Sequence, residues 1–123
     1  MQETVVKLKF CTLSFYDGYV VAKINEGVHL DQEHNATLIE VVEEYYNKPF
    51  VYITHRVHSY SVDPSVYPRT TKVKLLKGFA VVSEKYQAKI NAQIEQMFFE
   101  KPFEIFTKLD DAIKWANDII TKG

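Results

Sequence analysis

Two short runs, Phe50-Val51-Tyr52-Ile53-Thr54 and Phe79-Ala80-Val81-Val82, are apolar without alternation. A strand with one wet face alternates apolar and polar residues, so a run that does not alternate is covered on both faces. Strands of that kind are central and parallel, and parallel neighbours need long crossover connections, usually helices. The segments around the two runs carry helical spacing. Within 32–47, Leu38, Val41, Val42 and Tyr45 form a stripe flanked by Glu33, Glu40, Glu43 and Glu44. Over 84–99, Tyr86, Ile90, Ile94 and Met97 keep the same period, and over 108–121 so do Leu109, Ala112, Ile113, Ala116 and Ile119, bordered by Trp115. Each stripe is predicted to dock on the sheet.

The flanks supply the remaining elements. Val6, Leu8 and Phe10 alternate with Lys7 and Lys9, which predicts a first strand over residues 4–15. Asp17-Gly18 between apolar runs signals a tight hairpin in which both central residues take positive φ, returning through a strand over 19–25. Asp31 is placed to cap the first helix and Ser83 the second, and Thr107 with Asp110 reads as a capping box for the third. Lys101-Pro102 precedes a short strand over 103–106. The fold expected is α/β: a four- or five-stranded mixed sheet with an N-terminal β-hairpin, central parallel strands and helices packed on the sheet, in one domain spanning 1–123.

Composition narrows the function. The formal charge of −1 is spread evenly, so no field of one sign gathers phosphates and nucleic acid is not an expected partner. The start of the chain has no basic segment followed by an apolar one, and no apolar run approaches the roughly 20 residues of a transmembrane helix, which predicts a cytoplasmic protein. The single cysteine excludes an internal disulfide and any zinc site built on paired thiolates. Four glycines, at 18, 27, 78 and 123, are too scattered for either glycine-rich nucleotide motif.

The order of elements resembles that of the anti-sigma-factor antagonist and sulfate-transporter (STAS) domain and, more narrowly, small stand-alone SpoIIAA-like bacterial proteins. The resemblance is carried by the opening hairpin, Tyr52-Ile53-Thr54-His55-Arg56, Ser59-Tyr60-Ser61-Val62-Asp63-Pro64, Leu76-Lys77-Gly78-Phe79-Ala80-Val81-Val82 and the stretch from Phe98 to Ala112. It implies a non-enzymatic module that binds a protein partner and is switched by phosphorylation of a serine between the third strand and the next helix. Ser59, Ser61 and Ser65 stand in that region, without the Asp-Ser-Ser-Gly sequence of regulated members. A likeness of related proteins to Sec14-type domains implies the alternative, a small apolar ligand bound between sheet and helices.

The residues themselves point to the same loop. Connections from strand to helix in α/β folds run to two to six residues, whereas this one, from His55 to Val62, runs to about eight before Asp63-Pro64. The loop leaves the carboxyl end of a parallel strand, where open α/β sheets bind their ligands. Arg56, His58, Ser59, Tyr60, Ser61, Asp63 and Ser65 are therefore the expected contact and switch surface, with Arg56 offering a charged fork to a partner. Neither His55 with His58 nor His29 with His34 has the third and fourth ligands a metal needs, so no metal or cofactor is expected. His58, Ser59, Ser61 and Asp63 are the residue types of nucleophilic catalysis, but a catalytic serine requires a base in contact, and the sequence provides no such placement. The aromatic set Tyr45, Tyr46, Tyr86, Phe98 and Phe99 exceeds the needs of one stripe, leaving one or two rings for a pocket or a homodimer contact.

Overall fold

The structure, a computed structural model, describes residues 4–122. Its elements are β1 (Thr4–Lys7), β2 (Cys11–Tyr16), β3 (Tyr19–Ile24), β4 (His29–Leu30), α1 (Gln32–Tyr45), β5 (Phe50–His55), β6 (Ser61–Val62), α2 (Tyr67–Thr70), β7 (Leu76–Val82), α3 (Tyr86–Gln96), β8 (Phe103–Phe106) and α4 (Leu109–Lys122). A 3₁₀ turn over Pro64–Val66 leads into α2. The main sheet has six strands in the order β1-β2-β3-β5-β7-β8, antiparallel across the first two pairings and parallel across the rest. The α/β class and the mixed sheet are as expected, but the strand number is higher.

The extra strand arises because residues 4–15 are not continuous. The chain reverses at residues 8–10, where the Leu8 amide bonds to the Cys11 carbonyl, and β1 folds back on β2. At the next turn only Gly18 takes positive φ, at 88°, so Asp17-Gly18 follows the pattern of a type II turn and not the expected type with two positive φ values. A separate two-stranded parallel sheet pairs β4 with β6.

Burial explains the central strands. Phe50, Val51, Ile53 and Thr54 are all at most 2% exposed, because β5 sits between β3 and β7 with helices on both faces. One face, with Phe50, Leu76 and Phe79, packs under α1, α2 and α3. The other, with Val51, Ile53, Ala80 and Val82, is covered by α4 through Ala112 and Ala116. Gly78 lets α4 come close: a Cβ there would stand 3.1 Å from both the Ile119 and Trp115 side chains.

Two helices are turned relative to the sequence pattern. The buried residues of α1 are Asn35, Leu38, Ile39 and Val42, while Tyr45 is half exposed and stacks on Phe15. The rotation of α3 is larger. Tyr86, Ile94 and Met97, expected to face the core, are 77%, 51% and 81% exposed, and Ala92, Glu95 and Phe99 point inward instead. Ser83 does not cap this helix at residue 84: its hydroxyl accepts from the Lys85 amide, and α3 begins only at Tyr86. Asp31 does cap α1, accepting from the His34 amide at 3.0 Å.

Ile53 and Val81 are both fully enclosed. Ile53→Ala and Val81→Ala are each expected to cost about 2–4 kcal/mol, measured by urea denaturation, from lost contacts plus the cavity left behind. Losses under about 1 kcal/mol in both would mean that neither strand is central.

Candidate functional site at the carboxyl edge of the parallel strands

β5 ends at His55, and one further ladder bond from the Arg56 amide to the Val82 carbonyl carries the chain out of the sheet. Residues 57–65 then lie against the loop before α1. The Gly27 amide bonds to the Ser59 carbonyl, the Ser59 amide to Glu26 Oε1, the Ser61 amide to the Val28 carbonyl and the Asp63 amide to the Leu30 carbonyl. Asp63 then accepts from the Ser65 amide at 3.0 Å and starts the 3₁₀ turn with Pro64 at its first position. That hydrogen bond and the capping bond from His34 hold the Asp63 and Asp31 carboxyls below the usual range. The long loop is thus a built surface, anchored at almost every second backbone group.

Under it lies a buried polar cluster that the sequence did not disclose. Arg56 is 8% exposed and forms a bidentate pair with Glu95, Nη1 donating to Oε2 at 2.9 Å and Nη2 to Oε1. Tyr67 donates its hydroxyl to the same Oε1, and burial, with Glu95 beside it, keeps its phenol far above the usual range and therefore protonated. Arg56 Nε donates to the Tyr60 hydroxyl at 3.0 Å, which also shares a hydrogen bond with Thr54 Oγ1 at 2.7 Å. The guanidinium lies 5.2 Å from the Tyr60 ring centroid. The expectation that Arg56 offers its fork to a partner is corrected here: Glu95 occupies it, and both side chains are withdrawn from water.

The other expected residues divide by exposure. His58, Ser59, Ser61 and Ser65 are exposed, whereas Tyr60 and Asp63 are half buried. Ser59 Oγ is 3.4 Å from Lys85 Nζ, and Ser65 Oγ accepts from Gln32. Ser61 Oγ is 2.7 Å from His29 Nδ1, so a base does contact a serine, contrary to what its neighbours in sequence offered. Both residues are open to solvent. No group of three or more His, Cys, Asp or Glu side chains among the described residues is arranged to hold a metal ion.

Two concavities adjoin the loop. A groove of about 190 Å³ has Arg56, Tyr60 and Glu95 as its floor, with Ser61, Val62 and Pro64 on one wall and Asn91 and Ile94 of α3 on the other. An internal cavity of about 40 Å³ lies between α1 and the sheet, lined by Leu38, Val42, Phe50, Tyr52 and Phe79, with Asn35 and Thr70 bonded to each other at its polar end. A water needs roughly 10–15 Å³ on such a measure, and a benzene-sized guest occupies a cavity of about 150 Å³. The cavity is therefore too small, as it stands, for a lipid chain.

A mixed sheet with an antiparallel start, parallel strands and helices on both faces is the SpoIIAA-like fold. A solved structure of an uncharacterised DUF3478-family protein with a SpoIIAA-like fold, from Shewanella loihica PV-4, superimposes with a TM-score of 0.55 at 14% identity, covering 94% of this chain and 92% of that one. No protein-family model and no curated protein matches the sequence. No described helix is long and apolar enough to cross a membrane.

Removing one partner of a buried ion pair strands the other, so Arg56→Ala should cost about 3–5 kcal/mol in denaturation. Replacing both, as Arg56→Met with Glu95→Leu, should recover most of that loss; a double variant as unstable as the single one would show that the pair is not the interaction at stake.

His55 gives a pH effect of defined sign. Its Nδ1 is buried with no hydrogen-bond partner among the described residues, and burial, followed by Lys23, lowers its pKa below 6.5. Below that value the unfolded chain binds the proton more readily, so the stability His55 contributes is complete above pH 6.5 and declines on acidification toward the folded pKa. The melting temperature of wild type should fall more steeply from about pH 7.5 to about pH 5.5 than that of His55→Gln, and equal slopes would exclude this origin.

Proposed function

We propose that this domain is a non-enzymatic binding module of the STAS-like type that engages a protein partner through residues 57–65 and the groove they form with α3. The observation that carries the reading is that this loop is already organised before any partner arrives. Its backbone is anchored on the loop before α1, while Ser59, Ser61 and His58 remain exposed at its rim. A surface ordered in advance loses little conformational entropy on association. The groove beside it has an apolar wall at Val62, Pro64 and Ile94 and polar groups at Ser61 and Asn91, the mixture that fixes an inserted side chain.

Ser61 is the position at which added charge would switch the contact. Its hydroxyl faces His29 and its side chain stands on the groove wall two residues before Asp63. A phosphate there would meet His29 favourably and the Asp63 carboxylate unfavourably, and would close the groove mouth to an apolar side chain. The ligand alternative has the aromatic lining of the internal cavity in its favour, and its small volume against it. The Ser61–His29 contact alone is the weakest case, because both residues are exposed and no hydrogen bond among the described residues ties the His29 ring to a third, orienting group.

Ser61→Asp should change unfolding stability by less than about 1 kcal/mol, as exposed substitutions do. It should weaken a partner, captured from the host and titrated by calorimetry, at least about tenfold, equivalent to 1.4 kcal/mol. Glu43→Gln, on the outer face of α1, serves as the neutral control. Unchanged affinity in Ser61→Asp, with loss only in variants that line the internal cavity, would replace this reading with ligand binding.

A further inference from the structure

The segment from Ser59 to Asp63 uses only alternate backbone groups inside the chain. Ser59, Ser61 and Asp63 bond to β4 and to the loop before it. In a strand ladder the intervening residues turn their N–H and C=O toward the opposite edge, so those of Tyr60 and Val62 point away from β4. β6 pairs with β4 alone, and no hydrogen bond among the described residues reaches any of these four groups. They form a free strand edge, and it borders the groove. Tyr60, Val62 and Pro64 line that groove, whereas no residue of β4 does, so the groove opens on the unpaired side. Tyr60 and Val62 are half buried there, with α3 as the facing wall.

We propose that this edge takes an extended segment of the protein partner as an added strand, lying in the groove between β6 and α3. The proposal rests on the reading of residues 57–65 as a protein-binding surface and adds the form of what binds there. Main-chain donors and acceptors on a groove wall need a partner whose own backbone groups are not already bonded. A helix bonds its N–H and C=O internally, whereas an extended segment presents them at every second residue, roughly 7 Å apart, which is the spacing from Tyr60 to Val62. Alternate side chains of such a strand point into the groove. They meet Val62, Pro64 and Ile94 above the Arg56–Glu95 pair. Because those two charges already satisfy each other, an uncharged apolar side chain fits, and a charged one would lose water without gaining a free counter-ion.

The edge is short and has a defined end. Pro64 has no N–H, and its carbonyl accepts from the Tyr67 amide, so pairing stops beyond Val62. A strand held by so few residues covers less than the roughly 800 Å² per partner of a standard interface, which makes the contact a transient one. Affinity comes from the main chain and is indifferent to sequence, while selectivity comes from the alternate side chains that enter the groove.

The probes are heptapeptides selected from a random displayed library on the purified full chain, and the readout is amide hydrogen exchange by NMR. In the free chain the Tyr60 and Val62 amides should exchange faster than those of Ser61 and Asp63; saturation with a selected peptide should slow Tyr60 and Val62 at least about tenfold. N-methylation of the peptide, one residue at a time, should weaken binding about fivefold or more at alternate residues only, because every second N–H pairs with the edge. A library that yields no binder, peptides that leave both amides unprotected, or losses without a period of two overturn the proposal. Protection that grows with protein concentration alone also overturns it, since the edge then pairs with a second copy. The broader reading fails separately: a partner weakened by Ser61→Asp while Tyr60 and Val62 stay unprotected keeps the binding surface and removes only the added strand.

Discussion

The buried pair of Arg56 and Glu95 is the constraint from which the functional half of the molecule follows. It joins the end of β5 to α3 and, through the Tyr67 hydroxyl, to α2, so three elements meet at one pair of charges. Charges removed from water must be fully paired, and this requirement outweighs the weaker preference of an apolar stripe for the interior. Turning Glu95 inward turns Ile94 and Met97 outward on the same helix. The floor of the groove and the unpartnered outer face of α3 are therefore two results of a single interaction.

A second constraint fixes the rim. The two residues of β4 and the two of β6 pair in parallel, with His29 opposite Ser61 and Leu30 opposite Val62. Pairing of so few residues is weak by itself. Here it is reinforced by the bonds from Gly27 and Ser59 on one side and by the Asp63 amide on the other. The segment that ends in the α1 cap and the segment that starts the 3₁₀ turn thus move as one body. The backbone determines the shape of this edge, and the exposed side chains are left to determine what it contacts.

What the sequence revealed and what it hid divide along the range of the interactions. Local patterns were enough for β5 and β7, whose unbroken apolar runs mean two covered faces, for the Asp31 cap, and for the inward stripe of α4. The reversal at residues 8–10 contains no Gly, Pro or Asn, and its one trace in the sequence is a slip of phase, from apolar Val6, Leu8 and Phe10 to apolar Cys11, Leu13 and Phe15. The orientation of α3 was hidden because it depends on a partner 39 residues away in the chain. Arg56 stood out as a residue to explain, but a guanidinium reads the same in sequence whether it faces water or a buried carboxylate. The contact between Ser61 and His29 likewise exists only through the pairing of two strands too short to have a period.

The cavity under α1 bears on how the domain would yield to compression. Packing voids are the volume that a protein loses when it opens, and pressure shifts an equilibrium toward the state of smaller volume. The face of the sheet beneath α4 is closed by Ala112 and Ala116, both fully buried, whereas the face beneath α1 encloses unfilled space beside Leu38 and Val42. Hydrostatic pressure would accordingly loosen the two layers unequally, admitting water beneath α1 while α4 stays seated on β5 and β7.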